Sequence, residues 1–292
     1  MNQFKIKKSV EENDVNIELG RWNNLTVLRQ SDYGMYLDGG TLGDILMPRQ
    51  YVPRGCEPGD EVEVFVYLDQ EERLVATTEN PLAQVGDFAY LRVAWVNQYG
   101  AFLDWGLMKD LFVPFREQKM RMVQDRSYVV HIHIDEETSR IVASAKVERY
   151  LCDDMPPYQQ GDAVDVLIWQ KTDLGLKAII DNRYSGLFYD DELFREVRTG
   201  DRLTAYIKLV RPDGKIDLSL QRPGLKGVRD FADVLLERLQ ESGGFLPYTD
   251  KTASDELNKA FGVSKKTFKR AVGTLYKKHL IRLEENGLFM VE

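Results

Sequence analysis

The sequence predicts a mostly β chain, three small five-stranded barrels in tandem, closed by a C-terminal α+β domain of three helices and a hairpin. Three observations carry this expectation. Four separate marks recur at two nearly fixed offsets between residues 18 and 224; each unit inside the repeat reads as short strands only; and the pattern turns to helical period from residue 228.

The repeat comes first because its register organises everything else. SDYGMYLD, NQYGAFLD and TDLGLKAI place Gly34, Gly100 and Gly175 at spacings of 66 and 75. DILMP, DLFVP and GLFYD place Ile45, Leu111 and Leu187 at 66 and 76, and the turn residues Asp60, Asp125 and Asp201 stand at 65 and 76. RLVATT, RIVASA and KIDLSL close each unit, with Arg73, Arg140 and Lys215 at 67 and 75. Short β-branched and aromatic runs bounded by Gly, Asp and Pro read as strands. Five of them in about 70 residues suit a small closed barrel of the oligonucleotide-binding (OB) type, in which closure removes exposed edges. Each repeat glycine permits tight coiling of the second strand. Pro81, Pro156-Pro157 and Pro223-Gly224 mark the joints. The expected partition is a tail over 1–17, barrels over 18–81, 82–155 and 156–225, and a terminal domain over 226–292.

In that domain VRDFADVLLERLQES puts Phe231, Val234, Leu235 and Leu239 on one helix face, ended by Gly243-Gly244. Ser254 is expected to cap a second helix that closes at Gly262, and Ser264 a third, SKKTFKRAVGTLYKKH. There Phe268, Val272 and Leu275 form the buried stripe, and Lys266, Arg270 and Lys277 point away from it. A hairpin about Asn286-Gly287 completes a winged helix, with the third helix in the recognition position.

Composition narrows the function classes. Two distant cysteines, Cys56 and Cys152, argue against a disulfide framework and for a reducing compartment. Three histidines without metal-ligand spacing give no reason to expect a metal or other cofactor. No signal peptide or membrane span is read, so the cytoplasm is expected. Phosphate-binding loops, nucleophile elbows and catalytic pairs are missing from the sequence, so a non-enzymatic role is expected. The net charge of −8 opposes binding to nucleic acid. However, residues 259 to 282 hold eight Lys and Arg and no acid, which leaves −16 for the rest of the chain. That concentration is the footprint of a nucleic-acid contact.

The middle unit, YGAFLD with IDEETSRIVASAK, most resembles the RNA-binding repeat of ribosomal protein S1. The resemblance implies an RNA face made of two aromatics on the second strand, a His on the third, and an Asp and a basic residue at the last hairpin. Carried over, the aromatics fall on Tyr33 and Tyr36, on Tyr99 and Phe102, and on Leu174 and Lys177. The His position holds Met47, Val113 and Tyr189; the Asp position Asp69, Asp135 and Arg211; the basic position Arg73, Arg140 and Lys215. Units one and two would stack bases, and unit three, with Lys177, Tyr189, Arg211 and Lys215, would hold phosphate. Three such barrels before a winged helix, opened by ELGRWNNLTVLRQSDYGMYLDGG, resemble the conserved virulence factor B family of bacteria over about residues 18 to 292. That resemblance implies RNA binding and post-transcriptional influence on gene expression.

The expected partner is single-stranded RNA, gripped also by Lys265, Lys266, Lys269 and Arg270 of the third helix. The alternatives are a DNA-binding regulator working through the winged helix and a protein-binding adaptor.

Overall fold

The computed structural model describes residues 16–190, 193, 196–221 and 231–291. The predicted joint at Pro223-Gly224, the start of the first helix at 228–230 and nearly all of the predicted tail lie outside the described residues. The chain divides into two compact units, Met1–Val147 and Glu148–Glu292.

Three closed five-stranded barrels are present. The first is built from β1 (Arg21–Ser31), β2 (Gly34–Leu37), β3 (Ile45–Pro48), β4 (Glu61–Leu68) and β5 (Leu74–Thr77). The second uses β6 (Phe88–Val96), β7 (Gly100–Asp104), β8 (Leu111–Pro114), β9 (Ser127–Ile134) and β10 (Ile141–Ser144). The third uses β11 (Ala163–Thr172), β12 (Gly175–Ile180), β13 (Tyr184–Tyr189), β14 (Arg202–Val210) and β15 (Ile216–Ser219). In each, the third and fifth strands close the barrel through a parallel contact.

Alternation along the strands fills each barrel. Leu25, Val27, Leu37, Ile45, Met47 and Val64 are buried in the first, and Leu103, Leu111, Val113, Val130 and Ile132 in the second. The first strand of every barrel carries a register shift at the same place, Val27/Arg29, Val93/Trp95 and Ile168/Gln170. Such bulges sharpen the coil that closure needs. The repeat glycines have a further cause: a Cβ on Gly34, Gly100 or Gly175 would fall on the carbonyl oxygen of Met47, Val113 or Phe188 in the adjacent strand.

The register corrects one element of the sequence reading. Gly34, Gly100 and Gly175 pair with Pro48, Pro114 and Tyr189, so Phe188, not Tyr189, is the counterpart of Met47 and Val113. The counterpart of Ile45 and Leu111 is Gly186, not Leu187. A Cβ at Gly186 would collide with the ends of Leu218 and Ile180, which fill the slot that Ile45 and Leu111 occupy elsewhere.

Barrels one and two share an apolar core in which Phe65, Tyr67 and Val75 meet Leu103, Trp105 and Leu107. Phe65 meets Trp105 edge-on at 5.8 Å and Trp22 at 5.9 Å. Deleting a ring so enclosed costs about 3–5 kcal/mol. Lys109 Nζ donates to the Asp69 carbonyl at 2.6 Å across the same junction.

The C-terminal domain consists of α1 (Phe231–Glu241), β16 (Phe245–Leu246), α2 (Ser254–Phe261), α3 (Lys265–Lys277), β17 (Ile281–Glu284) and β18 (Gly287–Met290). Phe231, Leu235, Leu239, Leu257, Phe268 and Leu275 form its core. Ser264 caps α3 by accepting from the Thr267 N–H at 3.1 Å, worth about 1 kcal/mol. Gly262 ends α2 in the left-handed region at φ 69°. Three details differ from expectation. Ser254 is the first residue of α2 and Ala253 holds the cap position without a side-chain bond. The hairpin loop is Glu285-Asn286, because Gly287 already pairs with Glu284. The sheet has a third strand, β16, paired to β18, and its approach explains Gly287: a Cβ there would fall on the Leu246 carbonyl.

Candidate nucleic-acid interface

Cross-strand register lines up one row of residues around each barrel. In the first it runs Arg29, Tyr36, Leu46, Val75, Tyr67; in the second Trp95, Phe102, Phe112, Val142, His133; in the third Gln170, Lys177, Leu187, Asp217, Leu209. In the first barrel the flanking Met35, Leu37 and Met47 fill the interior, so Tyr36 and Leu46 lie on the outer side.

The three rows differ in chemistry. The second is aromatic: Trp95 and Phe102 stack at 3.7 Å with planes 5° apart, and Phe112 leans on Phe102 at 4.9 Å. Asp110 accepts from Trp95 Nε1 at 2.7 Å and fixes the indole. In the first row Arg29 covers the Tyr36 ring at 3.7 Å and is itself tied to Asp44. The third row has no ring. There Arg211 donates to Asp217 at 3.0 and 3.1 Å and to the Tyr189 hydroxyl at 2.5 Å, while Lys177 lies 5.2 Å from the buried Trp169 ring. Lys215 pairs with Asp213 at 2.7 Å.

Tyr33 and Tyr99 stand at the apex of the first hairpin of their barrels, 74% and 64% exposed, and Leu174 takes that place in the third. Asn97 Oδ1 accepts from the Tyr99 N–H at 2.8 Å and shapes this turn. The aromatic row of barrel two forms the floor of a groove of about 930 Å³, bordered by Tyr67, Gln70 and Glu72 of barrel one. Burial pushes the Tyr67 phenol up to about 12, so it stays a proton donor.

The hairpin residues serve partners that local spacing does not indicate. Asp69 pairs with Arg73 of its own hairpin at 2.7 Å. Burial raises the Asp69 pKa, but bonds from the Arg73 N–H and guanidinium and from the Glu71 N–H outweigh it and hold the carboxyl below its ordinary range. Asp135 pairs not with Arg140 but with Arg116 at 2.8 Å, and Arg116 also reaches Glu137 at 3.1 Å. The Glu137 N–H, then Arg116, keep Asp135 below the usual carboxylate range. Arg140 crosses to Glu72 of barrel one. Burial draws the Lys109 pKa down, against the attraction of Glu72 and Asp69.

On α3, Lys266, Lys269, Arg270 and Lys277 are exposed opposite the buried Phe268, Val272 and Leu275. Lys265 is half-buried and donates to the Lys251 carbonyl at 3.2 Å, and Lys269 approaches Asp250 at 3.9 Å. Among the described residues no helix is long and apolar enough to cross a membrane.

Trp95, Phe112, Lys109 and Arg116 escape the sequence reading. A signal for two of them existed: Trp95 stands five residues before its repeat glycine, as Arg29 and Gln170 do, and Phe112 twelve after, as Leu46 and Leu187 do.

Residues 19–79 match the family model described as S1 domain, and residues 233–289 that described as CvfB-like winged helix domain. A Bacillus subtilis (strain 168) protein, described as uncharacterized protein YitL, is 28% identical over 283 residues, 94% of either chain. Conserved virulence factor B of Staphylococcus aureus (strain USA300) is 25% identical over 243 residues, 81% of either chain. A solved structure from Streptococcus pneumoniae TIGR4, described as a multidomain protein with nucleic acid binding domains, covers 94% of this chain and 98% of its own at 22% identity and a TM-score of 0.41. Barrels of the S1 kind and winged helices are nucleic-acid-binding modules, and neither matched model is that of an enzyme. With an S1 domain match over residues 19–79, a CvfB-like winged-helix match over 233–289 and similarity along most of its length, the chain is similar to the conserved virulence factor B proteins.

Proposed function

We propose that this chain binds single-stranded RNA in the cytoplasm and acts as a post-transcriptional regulator, with barrel two as its principal base-stacking platform. The observation that carries the proposal is the outward row Trp95, Phe102, Phe112 beside the exposed Tyr99. Flat faces of this kind each hold a base with about 1–3 kcal/mol and little regard for sequence. Barrel one contributes Tyr33 and Tyr36. Barrel three, whose Arg211 and Lys215 are tied to their own carboxylates, contributes at most phosphate contacts. The domains part near residues 81, 155 and 225.

Fluorescence anisotropy with a labelled RNA twelve-mer, titrated with salt beside duplex DNA, tests this. Micromolar-range binding to RNA is expected, with a log–log salt slope of about 0.7 per phosphate neutralised. Clear preference for duplex DNA would overturn the proposal. The exposed basic face of α3 favours a second contact, in which the winged helix meets nucleic acid of its own accord. Duplex binding that survives loss of Trp95 and Phe102 would assign DNA to that domain.

A further inference from the structure

The groove over barrel two has a border whose chemistry suits one class of base. Four carboxylates line it, Glu72, Asp110, Asp135 and Glu137, against the three cations Lys109, Arg116 and Arg140, a balance of −1. The cations are already engaged: Arg116 with Asp135 and Glu137, Arg140 with Glu72, Lys109 with the Asp69 carbonyl. A phosphate entering here would meet guanidinium groups already paired with carboxylates and a rim of net negative charge, which favours a neutral base over the backbone of a strand. Each carboxylate can accept about four hydrogen bonds, and Glu72, Asp110 and Glu137 retain lone pairs beyond those given to Arg140, Trp95 and Arg116.

We infer that the groove between the Trp95–Phe102–Phe112 floor and the Glu72, Asp110 and Glu137 rim selects bases with an exocyclic amine, cytosine and adenine above all, and rejects uracil. The inference rests on the RNA-binding reading of the same barrel. Stacking on Trp95 brings the edge of the base to a rim where carboxylates outnumber cations and each cation is already engaged. The N4 amine of cytosine and the N6 amine of adenine donate to the carboxylates. Uracil presents a carbonyl at the position of the cytosine amine, and carbonyl against carboxylate is a repulsion in place of a bond. One such bond to a charged group corresponds to roughly a tenfold difference in affinity. Glu72 comes from barrel one, so the selection belongs to the barrel pair.

The full-length chain is titrated at pH 7.5 with cytidine and uridine RNA pentamers, which share ring size and have little structure of their own. C5 should bind about tenfold more tightly than U5. In Glu72→Gln with Glu137→Gln the two should approach parity, because each carboxamide offers a donor to the uracil carbonyl as well as an acceptor. Equal binding by the unaltered chain, or tighter binding of U5, overturns the inference while leaving RNA binding intact. So does a cytidine preference that the double variant keeps, with circular dichroism confirming its fold. Failure of both pentamers and of longer RNA would instead bring down the RNA-binding reading itself.

Discussion

Trp95 is where stacking and folding can be separated. Of the four tryptophans it is the one on the surface, 41% exposed, while Trp105 and Trp169 are buried. One face lies on Phe102 and the indole N–H is held by Asp110. Truncation to Ala removes an aromatic pair worth about 0.5–1.5 kcal/mol and one surface hydrogen bond, and opens no buried cavity. The fold should therefore lose about 1–2 kcal/mol and remain. Binding should lose a base stack, about 1–3 kcal/mol, a factor of roughly 5 to 150 in Kd. Trp95→Phe should recover part of it. Because the other indoles are less accessible, RNA should quench the intrinsic fluorescence of the unaltered chain and leave that of Trp95→Phe nearly unchanged. Anisotropy, quenching and a thermal melt on the same samples decide the matter. Unaltered affinity in Trp95→Ala, or quenching that persists without Trp95, would refute the assignment of the stacking face to barrel two.

Other expectations follow from the same geometry. Arg211→Ala strands the largely buried Asp217 carboxylate and should cost about 1–3 kcal/mol in a denaturant melt, where Arg211→Lys recovers little because it cannot form the bidentate pair. Burial, and then the neighbouring His133, lower the pKa of His131 from 6.5 to about 4. Above pH 6.5 the ring is neutral folded or unfolded; as pH falls towards 4 the unfolded chain alone takes up the proton. Stability of barrel two should then fall by on the order of 2 kcal/mol, allowing for partial exposure, and His131→Phe should flatten that slope in urea melts between pH 7.5 and 4.5. Gly175→Ala places a methyl on the Phe188 carbonyl at a φ of +148°, and the dihedral alone should cost about 1–3 kcal/mol in thermal denaturation. Reversing Lys266, Lys269 and Arg270 to Glu should weaken long RNA and flatten its salt slope while sparing pentamers; an unchanged slope would remove α3 from the RNA path.

The barrels were legible because their glycines answer a steric demand that no other residue meets, so the marks survive wherever the second strand crosses closely under the third. The slip in unit three has an equally physical source. The slot that holds Ile45 and Leu111 is filled there by Leu218 and Ile180, Gly186 stands in it, and the next apolar residue, Leu187, takes its place in a linear alignment. β16 is two residues long and has no period to read. Arg140 finds Glu72, 68 positions away, in another barrel, and nothing in the spacing of either hairpin foretells that choice. Surface partnerships are set by which loops the folded chain brings together. Interior patterns are set by the strand itself.

The ring of Phe65 belongs by sequence to the first repeat and by packing to the second, where Trp105 receives it. Tandem repeats are usually pictured as beads that recombination can delete, double or shuffle, each carrying its own shelter from water. These two are no longer such beads. Excising the second would leave Phe65 and Tyr67 facing solvent, and duplicating it would produce a copy whose receiving surface finds no ring to receive. The pair is thus bound to descend as one heritable piece, whatever freedom the other modules keep.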